Sequence, residues 1–259
     1  CAIARLACMR SDIATAASEQ PMKRQYPIII TVRDRVTDLQ SLLSWLENVG
    51  QREIWLCDNA STYPPTVKFL AETRHRVVYN HHNLGHRAPW LSGLVAELGA
   101  DRPFIVTDPD VVPCATCPFD ALDYFSDTLQ VHHDMDKVGF SLRIDDLPEH
   151  YRHRDEVITW ERQFWTNQFA PGLFFAPIDT TFAMYRPGVG HQNSRSLRTQ
   201  PPYEAHHMPW YENTSAPTPE QQYYVAHADR LISNWNSERI PANVRAQLQV
   251  LHSQGNTSP

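Results

Sequence analysis

The sequence predicts an α/β protein whose mostly parallel sheet is flanked by helices and continues into a mixed-sheet second half. Two observations lead to this prediction. Short apolar runs alternate with helical stripes over residues 26–113, and a cluster of polar residues follows each run. The carboxyl ends of parallel strands meet at one rim of a sheet, where such sheets bind ligands, so the polar clusters are expected to form one site.

The first half contains four predicted strands joined by short connections. Each strand is a run of mainly β-branched, aromatic or other apolar residues, typical of buried parallel strands. The strands are predicted at residues 27–32, 53–57, 76–79 and 104–107. The connecting helices are predicted at residues 36–46, 64–70 and 88–98. The polar clusters behind the strands are residues 33–35, 58–61, 80–87 and 108–110.

The second half, residues 114–250, has a less regular pattern. Its predicted elements are a helix at 119–130, a strand at 138–142, a helix at 159–165, a long strand or hairpin at 174–185 and a helix at 219–235. Both halves together, residues 26–250, are expected to form a single domain. Residues 1–25 are expected to be an N-terminal extension, and residues 251–259 a flexible polar tail.

The composition narrows the classes of partner and location. With 42% hydrophobic residues among 259, the chain is typical of a globular protein with a sizeable core. The net charge of −6 argues against a nucleic-acid partner, since no basic surplus exists for phosphate contacts. No apolar stretch is long enough to span a membrane. We therefore expect a cytoplasmic location, and a peripheral membrane contact through the aromatic second half stays open.

The five cysteines favour a reducing compartment, because an odd number without regular spacing gives no disulfide framework. Cys114 and Cys117 have the spacing of a redox pair or of half a zinc site. No second pair with this spacing follows in the sequence, so a zinc site with four cysteines is excluded. A structural role is expected for both thiols.

The motif Asp108-Pro109-Asp110 follows the fourth predicted strand and places two carboxylates two residues apart. Hard oxygen donors at a strand end suit Mg²⁺ or Mn²⁺, which bind through one or two carboxylates together with phosphate oxygens of a substrate. The alternative is a structural turn, because Asp-Pro-Asp is also favourable turn chemistry. The motif therefore indicates a metal site or a turn.

Residues 26–113 resemble the nucleotide-binding half of a GT-A glycosyltransferase, close to the broad family 2 group. The resemblance rests on the strand Ile28–Val32, two turns and the Asp108-Pro109-Asp110 motif, in this order; the turns are Asp58-Asn59-Ala60-Ser61 and Asn83-Leu84-Gly85. Residues 178–183 and 207–211 also look like segments of a bacterial subgroup of these enzymes. The resemblance implies a GT-A, Rossmann-like sheet with a mixed-sheet acceptor half.

The resemblance further implies a sugar-nucleotide site at the strand ends. Asp58 would accept a hydrogen bond from the base or ribose, and guanidinium groups would suit the diphosphate. The alternatives are a turn cap at Asp58 and solvated charge at the arginines. The residues expected to contact the donor are Thr31, Arg33, Arg35, Asp58, Asn83, Gly85, Arg87 and Asp108.

A metal site and a catalytic carboxylate are also implied. In the family pattern Asp110 would bind the metal directly, and Asp108 would contact the ribose, the sugar or a metal-bound water. His207 and His206 are the candidates for a further ligand, and His207 is preferred because it directly precedes the segment Met208-Pro209-Trp210-Tyr211. Asp179 interrupts an apolar predicted strand, where a carboxylate is rarely buried without a partner. It is a candidate base for the acceptor hydroxyl, with Glu212 and Glu161 as the competing carboxylates; a structural carboxylate is the alternative. Aromatic residues that could stack on a sugar, or pack in the core, are Trp165, Trp210 and Tyr211.

The expected activity is metal-dependent transfer of a sugar from a nucleoside-diphosphate sugar, such as a UDP- or GDP-sugar, to a hydroxyl of a carbohydrate or glycoconjugate. The expected metal is Mn²⁺ or Mg²⁺. A non-catalytic module that binds sugars or nucleotides is the main alternative. A nucleotidyltransferase is a weaker one, because residues 31–35 lack the glycine-rich phosphate loop of such enzymes.

Overall fold

A computed structural model of the protein describes residues 23–191, 195–229, 235 and 238–255. The greater part of the expected N-terminal extension and the last four residues of the expected tail lie outside these ranges. The strands are β1 Ile28–Val32, β2 Ile54–Asp58, β3 Arg76–Tyr79, β4 Phe104–Thr107, β5 Val111–Pro113, β6 Lys137–Gly139, β7 Ser141–Leu142, β8 Gln168–Ala170, β9 Leu173–Phe175, β10 Ala183–Tyr185, β11 Ser196–Thr199 and β12 Glu204–His207. The helices are α1 Thr37–Asn48, α2 Pro64–Glu72, α3 Ala88–Leu91, α4 Leu94–Leu98, α5 Ala121–Val131, α6 Arg154–Arg162, α7 Pro219–His227 and α8 Ala242–Gly255.

A parallel sheet forms the first half, as predicted. Its strands lie in the order β3-β2-β1-β4, and each neighbouring pair is parallel. The central strand β1 is buried along its whole length, which explains its continuous run of apolar and β-branched residues. The predicted positions of all four strands agree with the structure, and their carboxyl ends share one rim.

The second half extends this sheet with mixed strand directions. Strand β10 is antiparallel to both β4 and β6, whereas β11 is parallel to β6 and antiparallel to β9. A separate small sheet has the order β5-β12-β7. The predicted α/β class, with a parallel half and a mixed half, is therefore confirmed.

Two predicted strands are interrupted in the structure. The predicted strand 138–142 is divided into β6 and β7, which belong to different sheets. At the division, the amide of Phe140 donates to the carbonyl of Phe182, and a side chain at Gly139 would clash with that carbonyl. The predicted strand or hairpin 174–185 is likewise two short strands, β9 and β10, which do not pair with each other. Pro177, which has no amide hydrogen to donate, lies in the segment between them.

Several helix boundaries also differ from the prediction. The helix expected at 88–98 is two helices, α3 and α4, because Gly93 has a left-handed backbone with φ 86°. Helix α7 ends at His227 rather than at residue 235, since Ala228 is extended. The tail expected to be flexible from residue 251 instead begins inside α8, which continues to Gly255. Within the described residues, no helix is long and apolar enough to cross a membrane.

Candidate active site

A cavity of about 490 Å³ opens at the rim where the parallel strands end. It receives residues from all four polar clusters that the sequence placed behind strands, and from the second half of the chain. The first-half residues at the cavity are Thr31, Arg33, Asp34, Arg35, Asn59, Asn83, Gly85, His86, Asp108, Pro109 and Asp110. The predicted convergence of these clusters on one site is thus what the structure shows.

The turn after β1 is held by Asp34, a buried residue in the left-handed region with φ 53°. Its Oδ1 accepts the amides of Thr62 and Tyr63 at 2.5 and 2.7 Å, just before α2. Beside it, Arg33 Nη1 donates to the carbonyls of residues 59 and 60, both at 2.8 Å. A non-glycine residue with this backbone is strained, and such strain concentrates at functional sites. The sequence pattern gave no indication of the structural role of Asp34.

Asn59, rather than Asp58, reaches the cavity from the turn after β2. Its Nδ2 donates to Asn83 Oδ1 at 2.7 Å, and its Oδ1 accepts the amide of Leu84 at 2.7 Å. The side chain of Asp58 instead accepts the amide of Ser61 at 3.1 Å, the cap that was the alternative to a donor contact. Burial raises the pKa of Asp58.

The turn after β3 brings Asn83 and Gly85 to the cavity, as predicted, but not Arg87. Gly85 has φ 68°, which the turn requires and which a side chain would disfavour. Its carbonyl accepts from Asn59 Nδ2 at 3.1 Å, so the turns after β2 and β3 are joined by one amide side chain.

Asp108 and Asp110 lie side by side at the cavity behind β4. Thr180 Oγ1 donates to Asp108 Oδ2 at 2.9 Å. Burial, together with the charge of Asp110, raises the pKa of Asp108 well above its ordinary value. Asp110 Oδ1 is buried, and none of the described residues donates a hydrogen bond to it.

His207, on β12, faces the same carboxylate. Its Nε2 lies 4.0 Å from Asp110 Oδ1, and its Nδ1 has no hydrogen-bond partner among the described residues. Burial lowers the pKa of His207 to about 4, so the imidazole is neutral at pH 7. The preceding histidine, His206, is turned away, and its Nε2 lies 3.1 Å from Asp146 Oδ2.

Arg35 lies close to acidic side chains from both halves of the chain. Its Nε lies 3.5 Å from Asp110 Oδ2, and its Nη1 lies 3.0 Å from Glu212 Oε1 and 3.8 Å from Asp38 Oδ2. The ring of Tyr224 packs on the guanidinium, 4.2 Å from its central carbon. Arg35 is 4% exposed, so this charge is screened by protein groups rather than by water. Burial raises the pKa of Asp38 to about 7.

These contacts change the expectation for Glu212. It was a candidate base, but it is buried, is absent from the residues that line the cavity, and forms a 3.0 Å hydrogen bond with Arg35. Because Glu212 does not line the cavity and its carboxylate is bonded to Arg35, it is better described as a partner of Arg35.

Asp179 lies at the cavity but not in the predicted environment. It belongs to the irregular segment between β9 and β10, and it is exposed rather than buried in a strand. The backbone of this segment is held by side chains from outside it. Donors bind four successive carbonyls, of residues 176 to 179; they are Ser196, Arg198, Lys137 and Tyr185. The segment is therefore fixed although it has no regular secondary structure.

Lys137 is the least expected of these donors. It is 1% exposed, and its Nζ donates to the carbonyl of Ile178 at 2.6 Å while lying 5.0 Å from the ring of Tyr185. Burial lowers the pKa of Lys137 from 10.5 to about 8. A buried lysine is costly, and here its ammonium group supports the segment that presents Asp179 and Thr180.

The far end of the cavity is lined by α6 and β11. Glu161 and Arg198 form an ion pair there, with 2.7 Å between Arg198 Nη1 and Glu161 Oε2. Trp160 and Phe164 complete this wall, and Trp210 also lines the cavity. The other aromatic candidates, Trp165 and Tyr211, are not among the described residues that line it.

The donor atoms around Asp110 fit a divalent cation in chemistry. Carboxylate oxygens suit Mg²⁺ and Mn²⁺, and a neutral imidazole is the form of histidine that binds metals. Oδ1 of Asp110 and Nδ1 of His207 are buried polar atoms without a hydrogen-bond partner among the described residues, and buried polar groups are normally bonded. Within the described ranges, however, no three or more His, Cys, Asp or Glu side chains are grouped closely enough to hold a metal.

No protein-family model matches this chain, and no curated protein matches it. Among solved structures, the chain is similar to the mannosyltransferase PcManGT from Pyrobaculum calidifontis in complex with GDP-Man and Mn²⁺. The two chains are 12% identical, and the similarity covers 91% of this chain and 81% of that chain with a TM-score of 0.47. A likeness at this level does not identify a family, so the function has to be argued from the cavity itself.

Proposed function

We propose that the protein is a glycosyltransferase that moves a sugar from a nucleoside-diphosphate sugar to a hydroxyl group. The single observation that carries this proposal is the arrangement at Asp110. A buried carboxylate oxygen without a donor and a neutral histidine face one cavity, together with Asp108 and the strand-end residues. This is a suitable setting for a cation and a diphosphate.

The donor is proposed to lie across the ends of β1, β2 and β4. Thr31, Asn59 and Asn83 offer polar groups for the nucleoside, and Arg33 offers a guanidinium for the diphosphate. Asp108, held by Thr180, is placed to bind hydroxyls of the ribose or of the sugar. A UDP- or GDP-sugar remains the expected donor.

Mn²⁺ or Mg²⁺ would be held by Asp110, with Asp108 and His207 as further ligands. When bound, such an ion neutralises charge on the departing nucleoside diphosphate. Arg35 Nε already lies 3.5 Å from the other oxygen of Asp110, so its charge attracts this carboxylate. Because Arg35 is itself held by Glu212 and Asp38, the carboxylate is positioned before any ligand arrives.

Asp179 is proposed as the group that accepts the proton of the attacking hydroxyl. It is an exposed carboxylate at the cavity, and the described residues include no cation paired with it within 4 Å. Its segment is fixed by side-chain donors, so the carboxylate can be held close to an acceptor without regular secondary structure.

A non-catalytic module that binds the same ligands would make the same contacts, so turnover is the property that separates the two. We expect Asp110→Asn to reduce release of nucleoside diphosphate from the donor on the order of 1,000-fold, because several kcal/mol of leaving-group stabilisation would be lost. The assay is a coupled measurement of nucleoside diphosphate, with circular dichroism to verify folding.

Asp145→Asn is the matched control. Its carboxylate is 75% exposed, is paired with Arg143 at 2.7 Å, and does not line the cavity. The control should retain wild-type turnover. Equal turnover in Asp110→Asn and wild type would remove the basis for the proposed function.

A further inference from the structure

The far end of the cavity, formed by Trp160, Glu161, Phe164 and Arg198, has no role in donor binding as proposed above. Three of these residues belong to α6 or to the short helical turn after it, and their spacing places them on one helix face. Pro177, from the segment that carries Asp179, lies beside them. We call this part of the cavity the second compartment.

The Glu161–Arg198 pair is unusual because both side chains are almost fully buried, at 3% and 5% exposure. A buried ion pair gains little net stability, since desolvation offsets much of the attraction. Burial raises the pKa of Glu161, in agreement with this cost. Arg198 also packs on the ring of Phe164, with 4.2 Å between its central carbon and the ring centre. An ion pair that loses hydration energy on burial and yet lines a cavity is more readily explained by recognition of a ligand than by a contribution to folding stability.

The chemistry of the pair indicates what it recognises. Its net charge is zero, so it gives no advantage to a charged ligand. It presents a carboxylate acceptor next to guanidinium donors, which matches hydroxyl groups that both donate and accept. Trp160, half-buried beside it, adds an aromatic surface for the apolar face of a ring. A polyhydroxylated ring meets all of these requirements.

Arg198 also connects this compartment with the proposed base. Its Nε donates to the carbonyl of Pro177 at 2.9 Å, two residues before Asp179. Two residues of chain span at most about 7 Å. A single sugar ring held by the ion pair can therefore place one of its hydroxyl groups near Asp179.

We propose that the compartment of Trp160, Glu161, Phe164 and Arg198 binds the acceptor, and that the acceptor is a carbohydrate recognised through adjacent hydroxyls and a stacked ring face. This inference rests on the proposed function. It assigns the chemical class of the acceptor and the residues that select this acceptor. The proposed donor site defines neither of them.

The test measures binding of simple glycosides by saturation-transfer NMR titration. The probes are the methyl glycosides of mannose, glucose and galactose, with cyclohexanol as a ring lacking adjacent hydroxyls. The variants are Glu161→Gln, which keeps the side-chain shape, and Trp160→Ala, which changes a half-buried position. Glu156→Gln is the control, because this residue lies on the same helix, pairs with His153 at 3.9 Å and does not line the cavity.

We expect saturable binding of at least one glycoside to the wild type, and binding about tenfold weaker in Glu161→Gln and Trp160→Ala, since each loses one recognition contact. Glu156→Gln should bind as the wild type does. If one variant fails to fold, the other still gives the result.

The inference is overturned if no glycoside binds saturably, or if the two cavity variants bind as tightly as the control. A parallel titration with sugar nucleotides separates the two proposals. Donor binding without glycoside binding contradicts only the acceptor assignment. Glycoside binding that depends on Glu161 and Trp160, without donor binding, supports the carbohydrate compartment and contradicts the glycosyltransferase.

Discussion

The two halves of the cavity are built in different ways. In the first half, residues 26–113, the cavity-facing groups directly follow regular parallel strands, which are held by backbone hydrogen bonds within the sheet. Side chains such as Asp34 and Asn59 fix only the turns behind these strands. In the second half, the groups come from an irregular segment whose carbonyls are bound by side chains distant in sequence. The comparison shows that a site is held in place when its backbone N–H and C=O groups are hydrogen-bonded, whether the partners are neighbouring strands or side chains.

Arg35 joins the two halves, so its removal should have the largest effect on stability. Arg35→Met would leave the buried carboxylates of Asp110 and Glu212, and the partly buried one of Asp38, without their shared cation. Removing one partner of a buried pair costs about 3–5 kcal/mol, and we expect a loss of this size in the free energy of unfolding, measured by urea denaturation.

The control for Arg35 is Arg74→Met, which removes a largely exposed arginine paired with Glu47. An exposed pair contributes about 1 kcal/mol or less. Equal destabilisation by the two substitutions would contradict the view that Arg35 joins the halves.

The second half depends on Lys137, and its contribution should vary with pH. The pKa of Lys137 is lowered from 10.5 in the unfolded chain to about 8 in the fold. Between these values the unfolded state binds more protons, so this residue favours folding more as the pH rises. The penalty for burying the charge is complete below pH 8 and disappears toward pH 10.5.

We therefore expect the Tm of the wild type to rise relative to that of Lys137→Met as the pH increases from 8 to 10. Differential scanning fluorimetry of both proteins across this range measures the difference. A constant difference in Tm would mean that the pKa of Lys137 is not lowered. Turnover of Lys137→Met should also fall, because the carbonyl of Ile178 loses the donor that holds the Asp179 segment.

In the first half, Asp34 offers a smaller test. Its carboxylate accepts two amides before α2, and its backbone is left-handed. Asp34→Ala should destabilise the fold by about 1–2 kcal/mol, because the cap is lost while the strain remains. Asp34→Asn should cost less, since asparagine keeps an oxygen acceptor and tolerates this backbone. Thermal unfolding that ranks asparagine below alanine would contradict this account of the turn.

The same contrast explains what the sequence could predict. The four parallel strands and the convergence of their polar ends followed from local patterns, because a buried parallel strand is a continuous apolar run. The resemblance, rather than a local pattern, placed His207 with Asp108 and Asp110, and all three line the cavity.

Other features depend on contacts between distant residues and have no local signal. The pairing of Arg35 with Glu212 spans 177 positions, and the support of Ile178 by Lys137 spans 41. Asp179 appeared to be buried in a strand because its neighbours are apolar, yet side-chain donors replace the strand pairing there. The Glu161–Arg198 pair likewise had no local signal, because it forms only when α6 packs against β11.

The central claim is that the cavity binds a sugar nucleotide together with a metal. The most direct measurement is a thermal-shift panel of UDP-, GDP-, dTDP- and CMP-sugars, each with Mn²⁺ and with EDTA. A ligand present at 100 times its Kd stabilises the native state by about 2.7 kcal/mol. The account predicts a clear rise in Tm for one nucleotide family with Mn²⁺ and little or none with EDTA. No shift with any of these donors, or an equal shift in EDTA, would contradict it.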